Sequence, residues 1–206
     1  MKNFERELPD GYRVSLHINA KAAKFGIIFN AIALVILAVV MVLACLPLSG
    51  RWGEVFDVDP ITMLIAYAVF IVADIAYIVL HELVHGAAYK LLTGEKLTFG
   101  MSWSCAYCGV PNIFVYRKAA LIAVAAPLVL FTLIFLPLTV WLYFTSPIYY
   151  LIFAMTFGLH LGGCSGDCYV ILLLLFKFKD ERMLLRDTGP EQFFFLPVEG
   201  GDEDAA

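Results

Sequence analysis

A His-Glu-Leu-Val-His sequence at residues 81–85 lies inside a long apolar run, and no other feature constrains this chain as strongly. Two histidines four residues apart share one face of an α-helix, so both imidazoles can bind a single metal ion. Glu82 lies beside that face, where a carboxylate can act as general base on water at the metal. The pattern therefore predicts a zinc (Zn²⁺) site that includes His81 and His85.

The composition of the chain is that of a membrane protein. Hydrophobic residues make up 62% of it, charged residues only 16%, and the mean hydropathy is +0.85. We predict an all-α membrane protein with four transmembrane helices and a short β-hairpin-like cytoplasmic loop between the second and third. Each apolar run is long enough to cross a bilayer. The four runs cover residues 26–48, 61–91, 119–144 and 148–176.

The positions of lysine and arginine predict the orientation of these spans. Of 14 such residues, all but Arg51 lie in the amino-terminal arm, the loop between spans two and three, or the carboxy-terminal tail. Because loops rich in Lys and Arg stay in the cytoplasm, both termini and that loop are predicted to be cytoplasmic. The predicted organisation is an arm over 1–24, a four-span core over 25–177 and a tail over 178–206. We expect no cleavable signal peptide, and we expect the acidic end after residue 200 to be disordered.

Ionisable side chains inside the predicted spans are confined, cysteine and tyrosine aside, to the second and fourth helices. A charge at the centre of a bilayer costs about 2.5–3.5 kcal/mol, so such groups face one another, a metal or a wet cavity. This distribution predicts one shared polar site between the two helices. The residues concerned are Asp74, His81, Glu82, His85, His160 and Asp167.

Asp167 is the candidate third metal ligand. At about 1.5 Å per helical residue, His81, His85 and Asp167 lie roughly 14, 8 and 15 Å from the cytoplasmic ends of their helices. Gly162 and Gly166 form a GxxxG spacing, which lets membrane helices approach closely enough for a short aspartate to reach the metal. Three protein ligands would leave the fourth zinc position for water. A plain helix-packing motif with an incidental aspartate is the alternative.

These residues resemble a known family. An HExxH in one span with a distal aspartate in a later span resembles the site-2 protease group of intramembrane metalloproteases. More narrowly, residues 81–86 (HELVHG) and 165–167 (SGD) resemble the paired motifs of the Putative zincin peptidase family of small bacterial membrane proteins. The resemblance implies zinc bound by His81, His85 and Asp167, water activated by Glu82, and a bacterial plasma-membrane location. The chain departs from site-2 proteases at Leu130, where an asparagine is expected.

Two further polar residues in the spans have open roles. Asp74 lies seven residues before His81 on the same face, where it could orient a ligand or line a water path. It could equally bond to a polar group in another span, such as Asn30. His160 lies seven residues before Asp167 and could be an extra ligand, an oxyanion stabiliser, a donor that orients a ligand, or a satisfied interior histidine.

The loop between spans two and three adds a cysteine pair and a region rich in strand-forming residues. Cys105 and Cys108 form a CxxC, but structural zinc needs four ligands and the loop offers no second pair, so we expect ordinary reduced thiols. Residues 93–116 predict short strands or a hairpin. In the resembling proteases this region presents an edge strand to substrate; a membrane-surface loop anchored by Trp103 and Tyr107 is the alternative.

The sequence thus predicts a zinc-dependent intramembrane endopeptidase in which Glu82 takes a proton from water and passes it to the leaving amine. The expected partners are the lipid bilayer and a membrane-protein or peptide substrate, with no nucleic acid. One alternative is a non-proteolytic membrane protein that uses the polar cluster to bind or transport an ion. The other is a membrane metallohydrolase that acts on a lipid or small amide. The oligomeric state stays open.

Overall fold

The computed structural model of the protein describes residues 2–102 and 106–198. Within them, four helical segments are long and apolar enough to cross a membrane, which is compatible with a membrane protein. They lie close to the four predicted runs, so those predictions are confirmed as helices. The segments are Ala23–Leu48, Pro60–Thr93, Arg117–Thr145 and Pro147–Lys177.

The predicted all-α class is wrong, because the protein is mixed α/β. In the described residues, strands form a five-stranded antiparallel sheet in the order β1-β5-β6-β7-β2 and a separate two-stranded sheet of β3 and β4. The larger sheet combines strands from the amino-terminal arm, the loop between the second and third spans, and the tail. The strands are β1 Phe4–Glu5, β2 Tyr12–Asn19, β3 Thr98–Met101, β4 Ala106–Gly109, β5 Phe114–Tyr116, β6 Leu184–Asp187 and β7 Glu191–Pro197.

The helices follow the apolar runs, with two irregular segments. A 3-10 turn, Leu46–Leu48, ends the first span, and the fourth span is interrupted at Cys164 before it closes in a π-helical turn, Leu173–Lys177. The α-helices are α1 Ala23–Cys45, α2 Trp52–Phe56, α3 Pro60–Thr93, α4 Arg117–Thr145, α5 Pro147–Gly163 and α6 Ser165–Leu172.

The chain divides into two compact units, and α3, α4 and α6 each contribute to both. The strand-bearing unit comprises Met1–Ala23, Glu82–Val124 and Val170–Ala206, and the helical unit comprises Lys24–His81 and Ala125–Tyr169.

In the strand-bearing unit, long-range strand pairs enclose an apolar core. β2 pairs with β7 from Tyr12↔Pro197 to Asn19↔Glu191, and its residues Val14, Leu16 and Ile18 alternate with polar ones as a half-buried strand requires. The pairing of β3 with β4, together with β5, confirms the prediction of short strands within the described part of residues 93–116. Fully buried side chains from the loop, α4 and the tail fill the core: Val110, Ile113, Val115, Ala120, Ala123, Met183, Leu184, Leu185 and Phe194.

In the helical unit, α5 packs closely on α1 through glycines. A Cβ on Gly162 would lie 2.8 Å from the main-chain oxygen of Ala33, and one on Gly158 would lie 2.8 Å from a methyl carbon of Leu37. A Cβ on Gly166 would meet nothing within 4 Å. The close-packing pair is therefore Gly158 and Gly162, one turn earlier than the Gly162/Gly166 pair that the sequence suggested.

Candidate metal centre

Both motif histidines lie on one continuous helix, α3, and both are buried, with 9% of His81 and 7% of His85 exposed. Strong helix formers and apolar residues surround the motif, and no proline interrupts α3 after its first residue. The i,i+4 spacing puts both rings on one face of that helix. The local conformation that an HExxH metal site requires is therefore present.

In the helical unit, the structure brings His81 together with Asp167. The Nε2 atom of His81 lies 3.2 Å from Oδ2 of Asp167. Two ligands about 2.1 Å from a tetrahedral zinc are roughly 3.4 Å apart, so this separation suits both a shared metal and a direct ion pair. The donor set, an imidazole nitrogen and a carboxylate oxygen, is one that zinc prefers. These two residues therefore fit zinc in chemistry and spacing.

The second ring nitrogen of His81 belongs to a hydrogen-bonded chain. The Tyr77 hydroxyl lies 3.1 Å from His81 Nδ1 and 2.7 Å from His160 Nδ1. The other nitrogen of His160, Nε2, lies 3.1 Å from the Thr132 hydroxyl. Tyr77 was absent from the candidate residues, although its position one turn before His81 could have indicated it.

His160 is fully buried and lies among aromatic rings. Tyr77, Phe131 and Phe135 meet its imidazole edge-on, and Phe157 stacks on it. The structure therefore makes His160 an interior histidine that is bonded towards a motif histidine. Of the roles left open by the sequence, the geometry favours a residue that orients His81.

A second set of potential ligands also contains His81. Ligand atoms of His81, His160 and Cys164 all lie within 4.8 Å of one another. The Tyr77 hydroxyl is already within hydrogen-bond distance of both histidines of this set, and Cys164 Sγ lies 3.7 Å from His160 Nδ1. A metal in this set would have to displace the tyrosine hydroxyl.

In the strand-bearing unit, His85 is oriented by a main-chain group. Its Nδ1 lies 2.9 Å from the carbonyl oxygen of Ala123 on α4. A carbonyl only accepts hydrogen bonds, so Nδ1 carries the proton and, in the neutral ring, Nε2 keeps its lone pair. Metal-binding histidines usually donate their second N–H in this way.

Glu82 is partly exposed and belongs to the same unit as Cys108. Burial, followed by the charges of Asp187 and Glu82, raises the pKa of the Cys108 thiol to about 12. Cys108 is therefore a protonated thiol at neutral pH, as expected for an ordinary loop cysteine. Its partner in the CxxC, Cys105, lies outside the described residues, as does Trp103.

A buried carboxylate on the tail also contacts the ligand helix. The Tyr89 hydroxyl, one turn after His85, donates to Oδ2 of Asp187 at 2.8 Å. Asp187 is only 3% exposed, and it also accepts the main-chain N–H of Gly189 and the side-chain amide of Gln192. No local pattern in the sequence indicates this contact, because the partners are 98 positions apart.

Asp74 lacks a clear partner among the described residues. Both its carboxylate oxygens are buried without a hydrogen bond, and Thr156 lies close enough to interact electrostatically without completing one. Asn30 instead donates to the carbonyl oxygen of Gly26, which removes it as the alternative partner.

One family model matches this chain. It is described as "Putative zincin peptidase" and covers residues 74–182, just over half of the chain. No curated protein and no solved structure gives a significant match. The comparisons show no link to site-2 proteases. The matched region includes both motif histidines, Glu82 and Asp167.

Proposed function

The chain belongs to the Putative zincin peptidase family, which supports a zinc-dependent metallopeptidase, and on that premise we propose that it is an intramembrane endopeptidase. Its substrates are proposed to be membrane-embedded or membrane-proximal polypeptides. The observation that carries the proposal is the approach of His81 Nε2 to Asp167 Oδ2 at 3.2 Å, on helices long and apolar enough to cross a membrane.

The proposed zinc ligands are His81, His85 and Asp167. The Nδ1 atoms of the two histidines are bonded to Tyr77 and to the Ala123 carbonyl, which supports Nε2 as the metal-binding atom of each. Their helical spacing supports binding to one ion. Three protein ligands leave a position for water, as in catalytic rather than structural zinc sites.

Zinc in such a site lowers the pKa of water and polarises a carbonyl group. Glu82, adjacent to His81 in sequence, is proposed to accept a proton from the attacking water and to deliver it to the leaving amine. Asp167 contributes a negative charge that balances the metal. A protein that only binds or transports an ion would not need Glu82 for proton transfer, which favours the enzyme.

The β3–β4 hairpin supports a role for the loop in holding an extended substrate. Among the described residues, each strand of this sheet pairs only with the other, which supports strand addition at a free edge. Phe99 and Met101 on β3 are 48% and 70% exposed. Gly86, directly after the motif, would bring a Cβ to 2.7 Å from the Phe99 ring, so a glycine there lets the hairpin lie against α3.

The test uses the full chain purified in detergent. Zinc content is measured by elemental analysis, and cleavage is measured on a panel of fluorophore-quencher peptides that each contain one membrane span. Glu82→Gln should retain zinc and lose cleavage at least a hundredfold, because general acid–base catalysis contributes about 10²–10⁴-fold. Glu54→Gln, which alters an exposed carboxylate paired with Arg51, is the matched control and should cleave normally.

Three results would contradict the proposal in distinct ways. Equal cleavage by Glu82→Gln and the unaltered protein would remove Glu82 from the mechanism. Hydrolysis of a lipid ester or small amide, with every peptide left intact, would favour the other metallohydrolase. Absence of bound zinc at neutral pH, with no chelator used in purification, would overturn both enzymes and favour the ion-binding alternative.

A further inference from the structure

We propose that Tyr77, His160 and Thr132 form a one-way hydrogen-bond chain whose function is to hold His81 in the tautomer that binds metal. The inference rests on the proposed zinc site and deepens it by assigning positioning residues. All four side chains lie in the helical unit, and Tyr77 and His160 are buried. None of the three positioning residues is a proposed metal ligand.

The direction of the chain follows from its far end. Thr132 lies on α4, and its hydroxyl is 3.1 Å from His160 Nε2. A threonine hydroxyl can accept as well as donate, so we assign the proton to His160 Nε2 and the acceptor role to the Thr132 oxygen. In a neutral imidazole the other nitrogen, Nδ1, must then be an acceptor.

The remaining hydrogen bonds are then determined. Tyr77 donates its single hydroxyl proton to His160 Nδ1 at 2.7 Å. Its oxygen can therefore only accept from His81, so His81 Nδ1 carries the proton at 3.1 Å. His81 Nε2 is left with a lone pair, and it is this atom that faces Asp167. With this direction, the hydrogen-bond chain leaves Nε2 of His81 as the nitrogen that binds the metal.

Tyr77 has a second consequence for metal selection. Its hydroxyl bonds to Nδ1 of both His81 and His160, and these two histidines belong to the alternative ligand set that includes Cys164. A metal bound through Nδ1 of both histidines would have to displace this hydroxyl. The same group therefore directs the metal towards Asp167 and away from the thiol of Cys164.

Groups that orient metal-binding histidines typically change metal affinity by 10–100-fold when they are removed. Tyr77→Phe deletes one oxygen atom and keeps the ring that packs on Phe131. We expect its dissociation constant for Zn²⁺, measured by competition with a chromophoric chelator, to rise at least tenfold. Tyr150→Phe is the matched control, because it removes another buried hydroxyl, which donates to the main-chain oxygen of Ala44.

Substitution of His160 distinguishes a role in the chain from simple packing. His160→Asn can present an acceptor oxygen near the place of Nδ1, whereas His160→Phe fills the ring space without an acceptor. If the hydrogen-bond chain orients His81, His160→Asn should bind zinc more tightly than His160→Phe. A packing role predicts the reverse order, because phenylalanine fills the aromatic surroundings better.

The outcomes separate this inference from the proposed function. If the unaltered protein binds no zinc, the proposed site is wrong and the inference falls with it. If the unaltered protein binds zinc and Tyr77→Phe binds it within twofold, the inference alone is overturned. Thermal unfolding without metal shows whether Tyr77→Phe folds. If it does not, the two His160 variants provide the test, and tighter zinc binding by His160→Phe than by His160→Asn overturns the proposed hydrogen-bond chain.

Discussion

His85 donates its Nδ1 proton to the main-chain oxygen of Ala123, 2.9 Å away. In a regular helix that oxygen would accept the N–H of residue 127, but residue 127 is a proline inside α4 and has no N–H. Pro127 therefore leaves the Ala123 carbonyl available for the histidine. A proline that would ordinarily weaken a helix supplies the acceptor that fixes the tautomer of a proposed metal ligand.

Replacement of Pro127 by alanine should weaken zinc binding. The new N–H would compete with His85 for the Ala123 oxygen, so the proton on Nδ1 would be less firmly held. We expect the dissociation constant for Zn²⁺ to rise about tenfold, the lower end of the effect of orienting groups. Pro137→Ala alters the second proline of α4 and should leave zinc affinity unchanged. Equal affinities in the two variants would show that Pro127 has no part in orienting His85.

Two single substitutions distinguish the two possible ligand sets around His81. Asp167→Ala should abolish zinc binding at micromolar concentrations, because it removes a proposed ligand. Cys164→Ala should bind zinc within about twofold of the unaltered protein, because the Tyr77 hydroxyl already occupies the thiol-containing set. Elemental analysis and chelator competition measure both. Zinc loss in the cysteine variant with retention in the aspartate variant would reverse the assignment.

The spans and the polar residues of the site could be predicted because both depend on local properties of the chain. A run of apolar residues must form a helix in a bilayer, since no water is present to satisfy its backbone groups. A buried carboxylate such as Asp167 needs a partner, and His81 provides one. The identity of the site residues therefore follows from few physical constraints.

The sheet and the hydrogen-bonded surroundings of the histidines could not be predicted in the same way. The alternation of Val14, Leu16 and Ile18 with polar residues is typical of a strand, but nothing local shows that it pairs with β7 more than 170 residues later. Likewise, tyrosine is common in apolar helices, and only the three-dimensional structure shows that Tyr77 joins two histidines. Contacts between residues far apart in the sequence determine these features. The local periodicity of a single sequence does not show such contacts.

Gly162 should be intolerant of substitution, and its neighbour Gly163 should not. A Cβ at Gly162 would lie 2.8 Å from the backbone oxygen of Ala33, which cannot move without shifting α1, whereas one at Gly163 would meet nothing within 4 Å. Overpacking of this kind costs about 1–3 kcal/mol. Thermal unfolding in detergent should show a clear loss of stability for Gly162→Ala. For Gly163→Ala it should show no loss, or a gain of about 1 kcal/mol from helix propensity. Similar losses in both variants would argue against a specific contact between α5 and α1.

The buried carboxyl of Asp187 should make stability depend on pH. Burial, which outweighs the hydrogen bonds from Gly189, Tyr89 and Gln192, raises the pKa of Asp187 to about 6. In the unfolded chain the same carboxyl titrates near pH 4. Between about pH 4 and pH 6 the folded protein therefore holds a proton that the unfolded chain has lost. The contribution of Asp187 to the free energy of unfolding is fully present below that window and falls as pH rises through it, by about 3 kcal/mol in total.

Asp187→Asn should remove this dependence. The quantity to measure is the difference in unfolding free energy between the variant and the unaltered protein, from denaturant titrations in detergent at half-unit steps from pH 4 to pH 7. The unfolding free energy of the variant, relative to that of the unaltered protein, should increase as pH rises to about 6 and should then stay constant. Asp180→Asn is the control with the opposite sign, because hydrogen bonds from Arg182 lower the pKa of this partly exposed carboxyl. A pH-independent difference for Asp187→Asn would mean that the carboxyl has the same pKa in the folded and unfolded chain, so that the hydrogen bonds from Tyr89 and the turn offset its burial.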